Sequence, residues 1–183
     1  FTVNDDRGDS YGLRLSANIY TYDNVQFYNL IIENLINAIL YSYFNINNAE
    51  LDLDILKGQL IPEITKVLKF GFIKVKFTSI ENPETELEGF VPYTLTELKT
   101  NYITLGDYIN ELCADGKELK PCDVEVFIKK VLQQVYNFFA IARPYFKFCH
   151  NDFKINNILI NRDNGKLYII DFGYAQINFC SDS

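Results

Sequence analysis

Residues 149–173 read CHNDFKINNILINRDNGKLYIIDFG, and this stretch decides the fold. Two apolar runs, NILI and KLYII, flank NRDNG, in which Asn164-Gly165 is a strong turn signal between strands. An antiparallel hairpin joined there sets the residue that opens its first strand beside the residue that closes its second. Asn157 and Asp171 therefore meet at the open end. An amide oxygen and a carboxylate are hard oxygen ligands suited to Mg²⁺, which usually keeps waters and is completed by phosphate oxygens. Asp152, five residues before Asn157, is close enough to accept a proton from a hydroxyl. Lys154 is placed to neutralise charge on a phosphate in transfer.

Working outward, the apolar helical stripe Val124, Phe127, Ile128, Val131, Leu132, Val135, Phe138, Phe139 predicts a core helix after Pro121, over 123–143, that stops at Pro144. Asp123 is its expected N-cap. TLGDYINEL predicts a short helix beginning after Thr104. Lys66–Phe77 and Glu86–Val91 read as strands, with SIENPET as the turn between them. Residues 24–44 carry Phe27, Leu30, Ile31, Leu35, Ala38 and Ile39 at helical spacing, and INNAELDLDILKGQ after them reads as an irregular insert. The first fifteen residues read as a hairpin, FTV and YGLRL around the turn-rich NDDRGDS. Strands first, then helices, then one short hairpin favour the α+β class.

Composition sets the outer bounds. A chain of 183 residues with 48% hydrophobic content has room for a sizeable core. A net charge of -7 argues against a general nucleic-acid or anionic-membrane binder, since both need a basic face. The 17 Lys and Arg still leave room for a local basic pocket. Cys113, Cys122, Cys149 and Cys180 form no C-x-x-C pair, and with a single histidine they assemble no zinc site. They read as reduced thiols of an intracellular protein, in cytoplasm or nucleus. The most apolar run, LIIENLINAIL, is interrupted by Glu33, Asn34 and Asn37, so no membrane span is expected, and no secretory signal is found. The chain starts at Phe1 and contains no Met, which is expected of a fragment or a processed chain. Its bias to Asn, Ile, Tyr, Phe and Lys is that of an AT-rich genome, and for a viral source a virion location is open too.

The decisive stretch resembles the eukaryotic-type protein kinases, whose catalytic loop H-R-D-L-x-x-x-N is followed by D-F-G. It stands here as His150-Asn151-Asp152-Phe153-Lys154-Ile155-Asn156-Asn157 and Asp171-Phe172-Gly173. The run LQQVYNFFAIARPYFKFCHND is similar to haspin-like kinases and to divergent kinases of large DNA viruses. The resemblance implies ATP and Mg²⁺ as cofactors, Asp152 as catalytic base, Lys154 as γ-phosphate contact, and Asn157 and Asp171 as Mg²⁺ ligands. His150 and Phe172 would be packing supports. It further implies that Arg14 of YGLRL stands for the strand lysine and pairs with Glu33, nineteen residues on. In ELEGFVPY, Leu87 would guard the back pocket, and Glu88 to Val91, Phe90 included, would link the lobes and hold the adenine. The implied architecture is a partial bilobal kinase fold, with residues 1–91 as small lobe and hinge and 92–183 as the first part of the large lobe. The glycine-rich loop would precede Phe1, and the activation segment and peptide platform would follow Gly173. Asn151 replaces the Arg that normally receives an activation-loop phosphate, which predicts activity independent of that switch.

Three functions compete. The favoured one is a protein Ser/Thr kinase with a protein substrate, Lys154 speaking for Ser/Thr. The second is a small-molecule phosphotransferase such as aminoglycoside or choline kinases, which share the H-x-D-x-x-x-x-N loop. The third is a pseudokinase acting as a scaffold, supported by Arg14 and opposed by the intact Asp152, Asn157 and Asp171.

Overall fold

A computed structural model describes residues 2–4, 6–15, 25–46, 61–78, 84, 86–114 and 120–178, with the side chains of residues 25–30, 45, 46 and 87 left out. The insert expected at 46–59 lies almost wholly outside these residues, as do most of SIENPET and Cys180. In chain order the described elements are β1 (Thr2–Asn4), β2 (Ser10–Leu15), α1 (Val25–Ile46), β3 (Glu63–Ile64), β4 (Val67–Thr78), β5 (Glu86–Glu97), β6 (Tyr102–Thr104), α2 (Leu105–Ala114), α3 (Pro121–Phe146), β7 (Ile158–Asn161) and β8 (Leu167–Ile169). The class is α+β, as the order of sequence signals predicts.

The chain divides into two compact units, residues 1–35 with 66–98 and residues 36–65 with 99–183. The first holds a sheet of order β1-β2-β5-β4. β1 and β2 form the expected N-terminal hairpin, Val3 facing Tyr11. β4 and β5 pair over their length, and their lysines and glutamates bridge diagonally on the open face, Lys74 to Glu88 at 2.6 Å and Lys76 to Glu86 at 3.2 Å. Gly71 lies opposite Tyr93, and a Cβ there would meet its ring at 3.1 Å, so the aromatic ring covers the glycine.

Glu88, Phe90 and Val91 of the expected hinge segment lie in mid-strand, opposite Lys76, Lys74 and Ile73, and the chain leaves the first unit between Leu98 and Lys99. The apolar and aromatic run FVPYTL has the composition of a strand and simply continues as one. Leu87 faces Phe77 in the same ladder, and its side chain lies outside the described residues. Residues 36–65, counted to the small lobe, belong with the second unit instead.

The second unit holds a sheet of order β3-β8-β7-β6, with β3 parallel to β8 and the other pairs antiparallel. Its main core gathers Ile36, Leu40 and Phe44 of α1, Ile64 of β3, Phe138, Ile141, Ala142 and Phe146 of α3, and Phe148, Ile169 and Phe172 beyond it. Phe44 stacks on Phe138 at 5.2 Å, and Phe148 meets Phe138 edge-on at 5.6 Å. Each such ring contributes about 1.5–3 kcal/mol of burial. This shared core is the reason residues 36–65 fall with the second unit.

α2 starts where expected, with a reciprocal cap: Thr104 Oγ1 accepts from the Asp107 amide at 3.0 Å and donates to Asp107 Oδ2 at 2.6 Å. α3 starts earlier than the Asp123 cap implies. Lys120 is the N-cap, and Pro121, whose fixed φ suits the first turn, follows it. Asp123 sits in the first turn, where its charge favours the helix dipole. The apolar stripe is also offset: Ile128 is 48% and Leu132 60% exposed, while Gln134, Asn137, Phe138, Ile141, Ala142 and Phe146 are buried. Among the described residues, no helix is long and apolar enough to cross a membrane.

Candidate active site

α3 ends at Lys147, in the left-handed region at φ 44°, where its amide donates to the Arg143 carbonyl at 2.8 Å. The chain then turns into Phe148, which is fully buried, and delivers the loop 149–157. Cys149 and Gln176 form a two-way bridge, with N–H···O distances of 3.0 and 2.8 Å. Asn151 sits at φ 60° and donates from Nδ2 to the Tyr174 carbonyl at 2.9 Å. The residue that stands where an arginine was expected thus ties the loop to the segment after Gly173 through neutral bonds.

His150 is 2% exposed, and its Nε2 donates to the Ile170 carbonyl at 3.3 Å, leaving Nδ1 buried without a partner. Burial lowers its pKa, against the opposing pull of the Ile170 carbonyl, and so favours the neutral ring. Its ring lies 5.4 Å from that of Phe172, itself 1% exposed. Both residues pack as supports, as the sequence predicts.

Asp152 is the focus of the loop. Its Oδ2 accepts from Lys154 Nζ at 2.7 Å and from Asn157 Nδ2 at 3.0 Å, and Asn157 Nδ2 also reaches the Asp152 carbonyl at 2.9 Å. The Lys154 hydrogen bond, then that of Asn157, holds the Asp152 carboxyl below the usual range, and Asp152 in turn raises Lys154. Asn157 closes a single 3-10 turn, Ile155–Asn157, by donating its amide to the Lys154 carbonyl at 2.9 Å.

The hairpin then behaves as the turn signal predicts. Ile158 faces Ile169, and the Ile170 amide donates to the Asn157 carbonyl at 3.1 Å, so the chain reaches Asp171 beside Asn157. Asp171 adopts φ 64°, a conformation that L side chains other than Asn and Asp rarely accept. Its Oδ1 faces the Gly173 amide at 3.4 Å. Because Asn157 spends Nδ2 on Asp152, its amide oxygen is the atom left for a cation. Among the described residues no group of three or more His, Cys, Asp or Glu converges on one point. Asn157 and Asp171, one amide and one carboxylate, therefore fit an ion whose shell is finished by phosphate and water rather than a caged metal.

In the other unit Arg14 and Glu33 form the expected ion pair at 2.7 Å, with the Arg14 side chain 63% and that of Glu33 13% exposed. Next to it, Thr94, which faces Arg14 across the ladder, donates to Asn34 Oδ1 at 3.0 Å. Sequence reasoning missed Gln134, Lys130 and Glu63. The available signal for Gln134 was an amide in the middle of an apolar helix.

A model of the choline/ethanolamine kinase family matches residues 19–182. The chain belongs to the choline/ethanolamine kinase family. A search of curated proteins finds no significant match. Membership makes the chain an ATP-dependent phosphotransferase of the kinase-like superfamily. The kinase-like resemblance stands, while the match goes to the small-molecule branch that the sequence reading held as an alternative. The matched residues fall in both units, Glu33 and Asp171 included, with β1, β2 and Arg14 outside them.

Proposed function

We propose that this protein transfers the γ-phosphoryl group of Mg·ATP to the hydroxyl of a small amino alcohol. The observation that carries the reading is the Asp152 carboxylate, held ionised by Lys154 and Asn157 within a chain of this family. Asp152 would orient the acceptor hydroxyl and take its proton as the new O–P bond forms and the bond to the departing ADP breaks. Lys154, already beside that carboxylate, balances charge as phosphate oxygens approach. Asn157 and Asp171 would hold Mg²⁺, which when bound neutralises charge on the phosphates. Arg14 and Glu33 are read as an α,β-phosphate contact and its partner, and Leu87, Glu88, Phe90 and Val91 as adenine contacts.

A second reading, transfer to Ser or Thr of a protein, keeps Lys154 as its one specific support. Both are tested by following ADP release with choline, ethanolamine and a generic Ser/Thr protein as acceptors. We expect turnover with an amino alcohol, a loss of about 100-fold or more in Asp152→Ala with ATP binding kept, and weakened Mg·ATP binding in Asp171→Ala. Undiminished turnover in Asp152→Ala sinks the assignment. Absence of Mg²⁺-dependent ATP binding in wild type would return the scaffold reading.

A further inference from the structure

Gln134 is buried in the middle of α3, with no exposed surface. Its side chain is fully engaged with the hairpin. Oε1 accepts from the Leu167 amide at 2.9 Å, and Nε2 donates to the Gly165 carbonyl at 3.0 Å. One turn earlier on the same helix, Lys130 Nζ donates to the Asn164 carbonyl at 2.6 Å. Three anchor points, Asn164, Gly165 and Leu167, are thus fixed to α3. Gly165 has φ 69°, so the turn itself is of the kind that defines strand register.

The hairpin is short. β8 spans three residues, and its ladder with β7 consists of Ile158 with Ile169, Leu159 with Tyr168 and Ile160 with Leu167, followed by the Ile170 amide on the Asn157 carbonyl. A slip of one residue would turn every side chain to the opposite face and separate Asn157 from Asp171. So short a pair of strands has few bonds of its own, and beside the pairing of β7 with β6 and of β8 with β3 the buried amide adds a reference at the closed end, as acceptor and donor.

We propose that Gln134 is a positioning residue for the candidate metal ligands Asn157 and Asp171: it sets the register of the hairpin from its closed end, and Lys130 reinforces it. The catalytic half of this inference rests on the proposed phosphotransferase function; the register half does not. Neither residue touches the reacting groups.

The experiment uses the full chain and three variants: Gln134→Met, close in volume and without the two hydrogen bonds to the hairpin; Lys130→Met, which removes only the exposed anchor; and Leu40→Ala, a core control on α1 that removes no hydrogen bond to the hairpin. Two readouts are taken on folded protein. Amide hydrogen exchange should show protection at Leu167 and Ile170 falling at least tenfold more in Gln134→Met than in Leu40→Ala. The Mg²⁺ concentration for half-maximal binding of a non-hydrolysable ATP analogue should rise several-fold in Gln134→Met and less in Lys130→Met, while Leu40→Ala leaves it unchanged. Unaltered protection at Ile170 in a folded Gln134→Met overturns the register role, and equal Mg²⁺ dependence in all variants overturns the positioning of the ligands. Should Gln134→Met fail to fold, Lys130→Met decides by the same two readouts. Wild type that binds no Mg·ATP would remove the functional reading and the ligand-positioning half with it, and exchange would still decide the register.

Discussion

At Asp152 a lysine two positions away supplies the dominant hydrogen bond that keeps the carboxylate ionised. Replacing Lys154 by Ala removes that cause, so the Asp152 pKa rises toward the ordinary carboxylate range. The acid limb of kcat/KM against pH is then expected to move to higher pH, and a limb that stays in place would separate Asp152 from the titration. His150 bears on stability instead. Its pKa is lowered in the folded protein by burial, so the unfolded chain binds the proton more readily. Its part of the stability is complete above the unfolded value of about 6.5 and is lost as pH falls toward the lower folded value. Urea midpoints between neutral pH and pH 5 should therefore fall less steeply in His150→Phe than in wild type, even though the variant starts lower for want of the Ile170 bond. Asp152, Lys154, Asn157 and Asp171 were legible because one local hairpin brings them together, and Arg14 with Glu33 because a strand and the next helix fix their spacing. The bond from Asn151 to Tyr174 was not legible, since it depends on where the chain returns after Gly173.

The element that the sequence describes least faithfully is α3. Its apolar residues recur at three-and-four spacing around more than one face, so periodicity alone does not select the buried one. The choice is made by partners distant in sequence: the hairpin turn claims Gln134, and the core of the second unit claims Phe138, Ile141 and Phe146. Two substitutions separate the faces. Leu132→Lys, on a residue 60% exposed, should change stability by no more than about 0.5 kcal/mol. Phe138→Ala, on a ring with no exposed surface, should lower it by about 3–5 kcal/mol. Thermal or urea unfolding of both variants checks this, and equal effects would reverse the assignment of the faces. The early start of α3 has a simpler cause, Pro121, whose preference for the first helical turn is stronger than the cap signal of Asp123.

At the scale of the molecule, the α+β order was legible, but the division of the chain into units was not. The decisive contacts are long-range: Ile64 beside Ile169, and Glu63 paired with Lys166 at 2.7 Å and Lys99 at 3.3 Å. Burial raises the Glu63 pKa, but the hydrogen bonds and charges of Lys166 and Lys99 outweigh it and hold the carboxyl low. Its contribution is then present above the ordinary glutamate range and lost as pH falls through the folded value. Glu63→Gln should reduce stability at neutral pH by about 1 kcal/mol or less, the pairs being partly solvated, and the difference from wild type should shrink in acid; a constant difference would deny the charge pairing. The interleaving also bears on how the protein can be taken apart. Because the backbone passes from one unit to the other after residues 35, 65 and 98, no single cleavage yields two pieces that each keep a whole unit. A fragment ending at Leu98 carries the first sheet together with an orphaned stretch of the second core, and its complement lacks Leu40, Phe44 and Ile64. Neither half is a natural unit for expression, grafting or exchange with a relative, and a working chimera would have to swap the segments on both sides of three seams together.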